Sequence, residues 1–85
     1  MKEFEIFFTK QAKKDLSLLN PKLEKKLRKI LLAVISKNPF IGKKLMGSLD
    51  GNYSYRLNIK DRLIYSVDKE KGKIYIKRAK THYGD

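Results

Sequence analysis

The only histidine of the chain, His82, lies in the run Lys80-Thr-His-Tyr83. An imidazole with an ordinary pKa of about 6.5 can give or take a proton at neutral pH. Beside Tyr83, and with arginines across a sheet, it suits RNA transesterification. In such a reaction a histidine can protonate the 5′-oxygen leaving group while guanidinium groups stabilise the charge that builds on the phosphorane. A lone histidine in a polar tail is also commonly just solvated, and spacing alone leaves both readings open. The 21 basic residues comprise seventeen lysines and four arginines, Arg28, Arg56, Arg62 and Arg78. Arginine offers a rigid fork matched to phosphate, whereas lysine is a flexible point charge. Specific anion recognition is therefore expected at the arginines. Arg56 and Arg62 can equally be read as exposed cations that keep a sheet soluble.

Other chemistries lack their residues. With no cysteine and one histidine, neither a disulfide framework nor a structural zinc site is expected. There is no Gly-rich phosphate loop, no His-Glu-x-x-His, no Ser-His-Asp set and no identifiable acid and base pair of carboxylates. No metal and no cofactor is expected. The balance of 21 basic against 9 acidic residues, a net charge of +12, favours a polyanionic partner: nucleic acid, an anionic membrane or an acidic protein. The longest apolar run, Ile30 to Ile35, falls far short of the roughly 20 residues that span a bilayer. Met1-Lys2-Glu3 opens no signal-peptide core. A soluble, cytoplasmic protein without membrane association is expected.

A few elements must position these side chains. Eighty-five residues, 41% hydrophobic and 35% charged with two prolines and five glycines, make a single folded domain over 1–85 with one core. Phe4, Ile6 and Phe8 alternate with Glu3, Glu5 and Phe7 as in a strand. Thr9 is a fitting N-cap for a helix over about 10–19, on which Ala12, Leu16 and Leu19 recur at helical spacing. Asn20-Pro21 ends it and starts the next, a cap followed by a residue pre-set for the first turn. Leu23, Leu27, Ile30, Leu31, Val34 and Ile35 then form an apolar stripe, opposed by Lys22, Lys25, Lys26 and Lys29. Asn38-Pro39 stops this helix. Residues 38–51 read as a loop that Leu45 and Met46 anchor to the core.

From Asn52 the period becomes two. Tyr53, Tyr55, Leu57 and Ile59 share one face; after a turn at Lys60-Asp61, Leu63, Tyr65 and Val67 do the same, opposed by Arg62, Ile64 and Ser66. A turn over 69–72 leads to a third strand, 73–78. The fold class is α+β: two helices packed on one antiparallel sheet, in the order β-α-α-β-β-β. Parity then puts Arg56 and Arg62 on the face away from the helices, with Lys43 and Lys44 feeding into it. Arg78 shares the parity of Ile74 and Ile76 and would turn inward unless a bulge re-aims it. Tyr75 and Tyr83 are the tyrosines left free to stack on a base.

Five segments together resemble the RelE/ParE toxin superfamily, and within it the YoeB/Txe and RelE branches. They are Phe-Thr-Lys-Gln-Ala-Lys-Lys-Asp-Leu (8–16), Asn-Pro-Phe-x-Gly-Lys-Lys-Leu-Met-Gly (38–47), Tyr-Ser-Tyr-Arg-Leu (53–57), Asp-Arg-Leu-Ile-Tyr-Ser-Val (61–67) and Thr-His-Tyr (81–83). The resemblance implies the toxin of a type II toxin–antitoxin pair, an endoribonuclease that needs no metal and cuts mRNA in the ribosomal 30S A site. Arg62 matches the arginine that binds the scissile phosphate, and Arg56 a basic position on the preceding strand. His82 and Tyr83 match the C-terminal His-Tyr, whose histidine is the general acid. Lys43, Lys44, Arg78 and Lys80 are the expected RNA contacts. YoeB-like proteins carry a glutamate base near positions 43 and 44; lysines stand there in this chain. Either a lysine-rich site orients the 2′-hydroxyl or catalysis is weakened. An acidic antitoxin is the implied partner, donating a helix or strand that covers positions such as Phe7, and the free toxin is a monomer or weak dimer. The rival within the superfamily is a ParE-type gyrase inhibitor, which lacks the His-Tyr pair and the phosphate-gripping arginine.

Overall fold

The alternating N-terminal segment forms β1 (Glu5–Phe8) in a computed structural model. It describes residues 3–45, 51–57 and 61–81, with only the backbone of Lys80 and Thr81. Thr9 then caps α1 (Lys10–Ser17). Its Oγ1 accepts from the Ala12 N–H at 3.2 Å and donates to the Ile76 carbonyl at 3.1 Å, so one side chain starts the helix and ties it to the sheet. Asn20 repeats the device for α2 (Pro21–Ile30), accepting from the Leu23 N–H at 2.8 Å.

The second helix runs on as a π-helical turn over Leu31–Ile35, closed by the Ser36 N–H on the Leu31 carbonyl at 2.9 Å. Leu23, Leu27, Leu31 and Ile35 are all buried. In a regular α-helix each i+4 step rotates the stripe by about 40°. The wider turn offsets this drift and holds Leu31 and Ile35 on the sheet. A short 3₁₀ turn (Pro39–Ile41) comes next, then β2 (Lys43–Lys44). Leu45 is half-buried and its N–H bonds the Asn52 carbonyl at 2.9 Å. Met46, its expected fellow anchor, lies outside the described residues.

β3 (Asn52–Arg56), β4 (Asp61–Asp68) and β5 (Lys73–Thr81) form the expected meander, except that β5 runs past the expected end at Arg78 and buries Ala79. Ile59 and Lys60, assigned to this strand and turn, lie outside the described residues. The sheet order is β1-β5-β4-β3-β2. The α+β class and the helix pair on one sheet are as expected, with one correction: the sheet is mixed, because β1 lies parallel to β5. Tight turns force antiparallel neighbours within the meander, whereas the two helices between β1 and the remaining strands impose no such direction. The loop also adds a fifth strand, β2, against β3.

The helices cover one face of the sheet. Leu63, Tyr65, Ile74, Ile76 and Ala79 pack there against Ala12, Leu23, Leu27, Leu31 and Ile35, with Ile6, Phe8, Tyr53 and Tyr55 at the margins. Full burial of such a side chain contributes about 1.5–3 kcal/mol. Four rings in contact, Phe4, Phe40, Tyr53 and Tyr65, join the start of β1 to the middle of the sheet at centroid separations of 6.2, 5.8 and 5.7 Å.

Candidate functional site

The strand alternation that buries Leu63 and Tyr65 sends Arg62, Ile64 and Ser66 to the outer face. In register, Arg62 stands directly opposite Arg56, Ile64 opposite Ser54, and Ser66 opposite Asn52. Lys43 of β2 is opposite Ser54, one row from the arginine pair. Lys43, Ser54, Arg56 and Arg62, with Ile41, Gly42 and Tyr55, line a concavity of about 260 Å³. Arg56 is exposed and Arg62 half-buried. Like charges directly opposite one another on a sheet are unfavourable, and this pair concentrates positive potential where an anion would neutralise it.

The wall bearing Lys43 is fixed from beneath. The Tyr65 side chain is fully buried and its hydroxyl donates to the Pro39 carbonyl at 2.6 Å. Burial pushes this phenol up to about 12; the backbone of Gly42 counters in part, and Tyr53 and Tyr55 add to the rise. Gly42 must be glycine for space. A Cβ there would meet the Tyr65 hydroxyl and lie 2.9 Å from the Ser54 carbonyl. Its backbone, at φ −71°, is ordinary.

The other wall depends on β5. Tyr65 pairs with Ile76, but Ile64 pairs with Arg78, so Lys77 is an extra residue and the strand is bulged there. The bulge reverses the parity of the residues beyond it. Ala79 turns into the core and Arg78 does not, so the re-aiming that the sequence left open does occur. Arg78 is held by Asp15 of α1, Nε to Oδ2 at 2.8 Å. The same carboxylate accepts the Ala79 N–H at 3.0 Å and the Gln11 amide at 3.0 Å. Burial raises the Asp15 pKa, yet the hydrogen bonds from Arg78, Ala79 and Gln11 outweigh it and hold the carboxyl below its usual range. Past the bulge, register sets the backbone of Lys80 against Arg62.

The structure thus brings Arg56, Arg62 and Lys43 around one concavity. Lys44 pairs with Tyr53 on the other parity and does not line it. Arg78 is tied to Asp15 at the β5 edge, and Lys80 enters by backbone register. His82 and Tyr83 lie outside the described residues. Sequence reasoning missed Asp15, Tyr65 and Gly42 as the supports of the site. The signal for Asp15 was present: it falls three residues after Ala12 and four after Gln11, on the inward face of α1, where an unpaired carboxylate would be costly.

A family model described as the YoeB-like toxin of bacterial type II toxin–antitoxin systems matches residues 8–83. Among solved structures, the chain is similar to the RelBE2 toxin–antitoxin complex of Mycobacterium tuberculosis. There the TM-score is 0.86 and the identity 28%, over 94% of this chain and 99% of that one. It is also similar to a YoeB dimer from Staphylococcus aureus at TM-score 0.74 and 36% identity, over 95% of this chain and 99% of that one. A YoeB–YefM complex of the same organism matches at TM-score 0.76 and 35% identity, over 94% and 98% of the two chains. No curated protein matches the chain in sequence.

Proposed function

The chain belongs to the YoeB-like toxin family of bacterial type II toxin–antitoxin systems, and from that premise we propose that it is a ribosome-dependent endoribonuclease acting on mRNA in the 30S A site. The observation that carries this reading is the register that sets Arg56 against Arg62 with Lys43 one row away, around a single concavity. Arg62 grips the scissile phosphate and Arg56 adds positive charge as the phosphorane forms. The 2′-hydroxyl attacks phosphorus and gives up its proton to water, the bond from phosphorus to the 5′-oxygen breaks, and His82, with Tyr83 beside it, delivers a proton to that oxygen, leaving a 2′,3′-cyclic phosphate and a 5′-hydroxyl. Lys43, near the loop position where the family resemblance implies a glutamate, orients the 2′-hydroxyl. Arg78, whose guanidinium is shared with Asp15, and Lys80 contact flanking phosphates; Lys44, on the other parity, takes no part. The arginines supply the charge stabilisation that a metal would otherwise give, so the proposed step uses no metal.

The net charge of +12 suits entry into a cleft lined with RNA and an acidic antitoxin as inhibitor. Phe7, 40% exposed on β1, is a position for such a partner to cover. The free toxin acts in the cytoplasm as a monomer or weak dimer; no helix among the described residues is long and apolar enough to cross a membrane. The test is primer extension on an mRNA in reconstituted translation, with and without ribosomes, for the wild type, Arg62→Ala and His82→Ala. New 5′ ends within translated codons should require ribosomes and fall by about 10²–10⁴-fold in His82→Ala. Growth arrest by a folded protein that makes no cuts would replace this reading with gyrase inhibition.

A further inference from the structure

The outer face carries a second feature, at the far end from Arg62. Phe7 and Tyr75 are in register across β1 and β5, and their rings stack with centroids 5.7 Å apart and planes at 24°. Lys73 Nζ stands 5.3 Å from the Phe7 centroid. Phe7 is 40% exposed, and neither ring belongs to the described core cluster, which β1 and β5 supply from their other face. The same row continues across the sheet with Ser66 and Asn52. Two rings set among polar residues are too small a patch to make a protein interface of about 1,000 Å² by themselves, but they match the size of a nucleobase.

We propose that Phe7 and Tyr75, with Lys73, form a stacking platform for a base of single-stranded RNA whose phosphates run across this face toward Arg56 and Arg62. The proposal deepens the reading of the arginine pair as a phosphate site and rests on it. Ser66, in the row of Tyr75, is four residues along β4 from Arg62, about 13 Å at roughly 3.3 Å per residue. The stacked base therefore belongs to a nucleotide flanking the cut. Lys73 is in register with both Glu5 and Asp68, so charge at this end is balanced. Affinity there comes from stacking, and it differs in kind from the salt-dependent attraction at the arginines.

That difference makes the test specific. The full-length protein is titrated against a labelled ten-nucleotide 2′-O-methyl RNA, which cannot be cut, and against linear polyphosphate of matched charge. Stacking of one base accounts for about 5-fold or more in affinity. Tyr75→Leu and Phe7→Leu should therefore weaken RNA binding by at least that factor while polyphosphate binding and the salt slope stay as in the wild type. Arg62→Ala should weaken both ligands and flatten the slope by about 0.7. Wild-type RNA affinity in both leucine variants overturns the platform; if Arg62→Ala still weakens both ligands, the phosphate-site reading stands without it. Unchanged binding in Arg62→Ala instead removes the phosphate-site reading. Leucine variants that lose only an acidic antitoxin, and keep RNA, assign the rings to a protein interface and overturn the proposal. Should either leucine variant misfold, Phe7→Trp in this tryptophan-free chain is the second readout. RNA but not polyphosphate should quench its emission, and an unquenched spectrum at saturation overturns the platform.

Discussion

Removing the Asp15 carboxylate should destabilise the fold by about 2–3 kcal/mol, and the structure supplies each part of that figure. β1 ends at Phe8, opposite Ile76, so the next stretch of β5 has no strand beside it. Asp15, 6% exposed, takes the strand's place by accepting the N–H of Ala79, itself 1% exposed. In Asp15→Ala that N–H is left unsatisfied, at a cost of about 1–3 kcal/mol. The Arg78 side chain is 37% exposed and can turn to water, so the lost ion pair adds about 0.2–1 kcal/mol, as an exposed pair would, and not the larger penalty of a buried one. Asp15→Asn keeps an acceptor for Ala79 and should cost about half as much as alanine.

In a domain of this size each kcal/mol shifts Tm by roughly 4–8 °C, so Asp15→Ala should melt roughly 10–20 °C below the wild type. The folded carboxyl is held below its usual value of 3.8. Its stabilisation is therefore complete above the unfolded pKa and is lost as pH falls through the lower folded one. The gap between wild type and Asp15→Asn should close in that acid window, below pH 3.8. Urea unfolding from pH 7 down to pH 2 would check both points. An alanine variant within about 0.5 kcal/mol of wild type, or a gap that survives acidification, refutes the strand-replacement argument.

Tyr65→Phe should cost about 1 kcal/mol, the net value of one hydrogen bond. Because burial pushes the folded phenol up to about 12, the advantage of the wild type over the variant should shrink as pH rises from 10 through that value, followed by denaturant midpoint. Gly42→Ala forces a methyl group onto the Tyr65 hydroxyl and the Ser54 carbonyl and should cost about 1–3 kcal/mol; a neutral result would mean the turn gives way freely. Leu27→Ala, at a fully buried site on α2, should cost about 2–5 kcal/mol in the same unfolding assay. Lys43→Ala should flatten the salt dependence of RNA binding by about 0.7 without moving Tm.

Periodicity and caps made most of this fold legible. Thr9 and Asn20 cap the helices they were expected to cap because each cap is a local matter between one side chain and the next turn. Parity likewise assigned Arg56 and Arg62 to one face, since strands joined by short turns have little freedom of register. Features decided over long separations were not legible. The parallel pairing of β1 with β5 depends on no turn, and the π turn at Leu31–Ile35 arises from fitting a helix to a sheet that the helix sequence does not contain. Nor did any spacing reveal that Tyr65 would reach Pro39, 26 residues away.

The bulge at Lys77 links these levels. A regular β5 would have to choose between core and site, because a strict period of two that buries Ile74 and Ile76 also buries position 78. An arginine there would need a buried partner or force the strand outward. Inserting Lys77 resets the alternation, so Ala79 closes the core over α1 and the backbone of Lys80 arrives opposite Arg62. The cost is an interrupted ladder, and Asp15 offsets it by binding Arg78 and Ala79 just beyond the interruption. The apolar packing of α1 and the arrival of β5 at the arginine pair are thus one structural event. Giving Lys77 a partner, by inserting one residue between Ile64 and Tyr65 of β4, would straighten the ladder with Arg78 and Arg62 turned inward, and should damage both together. It should lower Tm and abolish RNA binding at the arginines, whereas a variant that lost only one of the two would separate what this register joins.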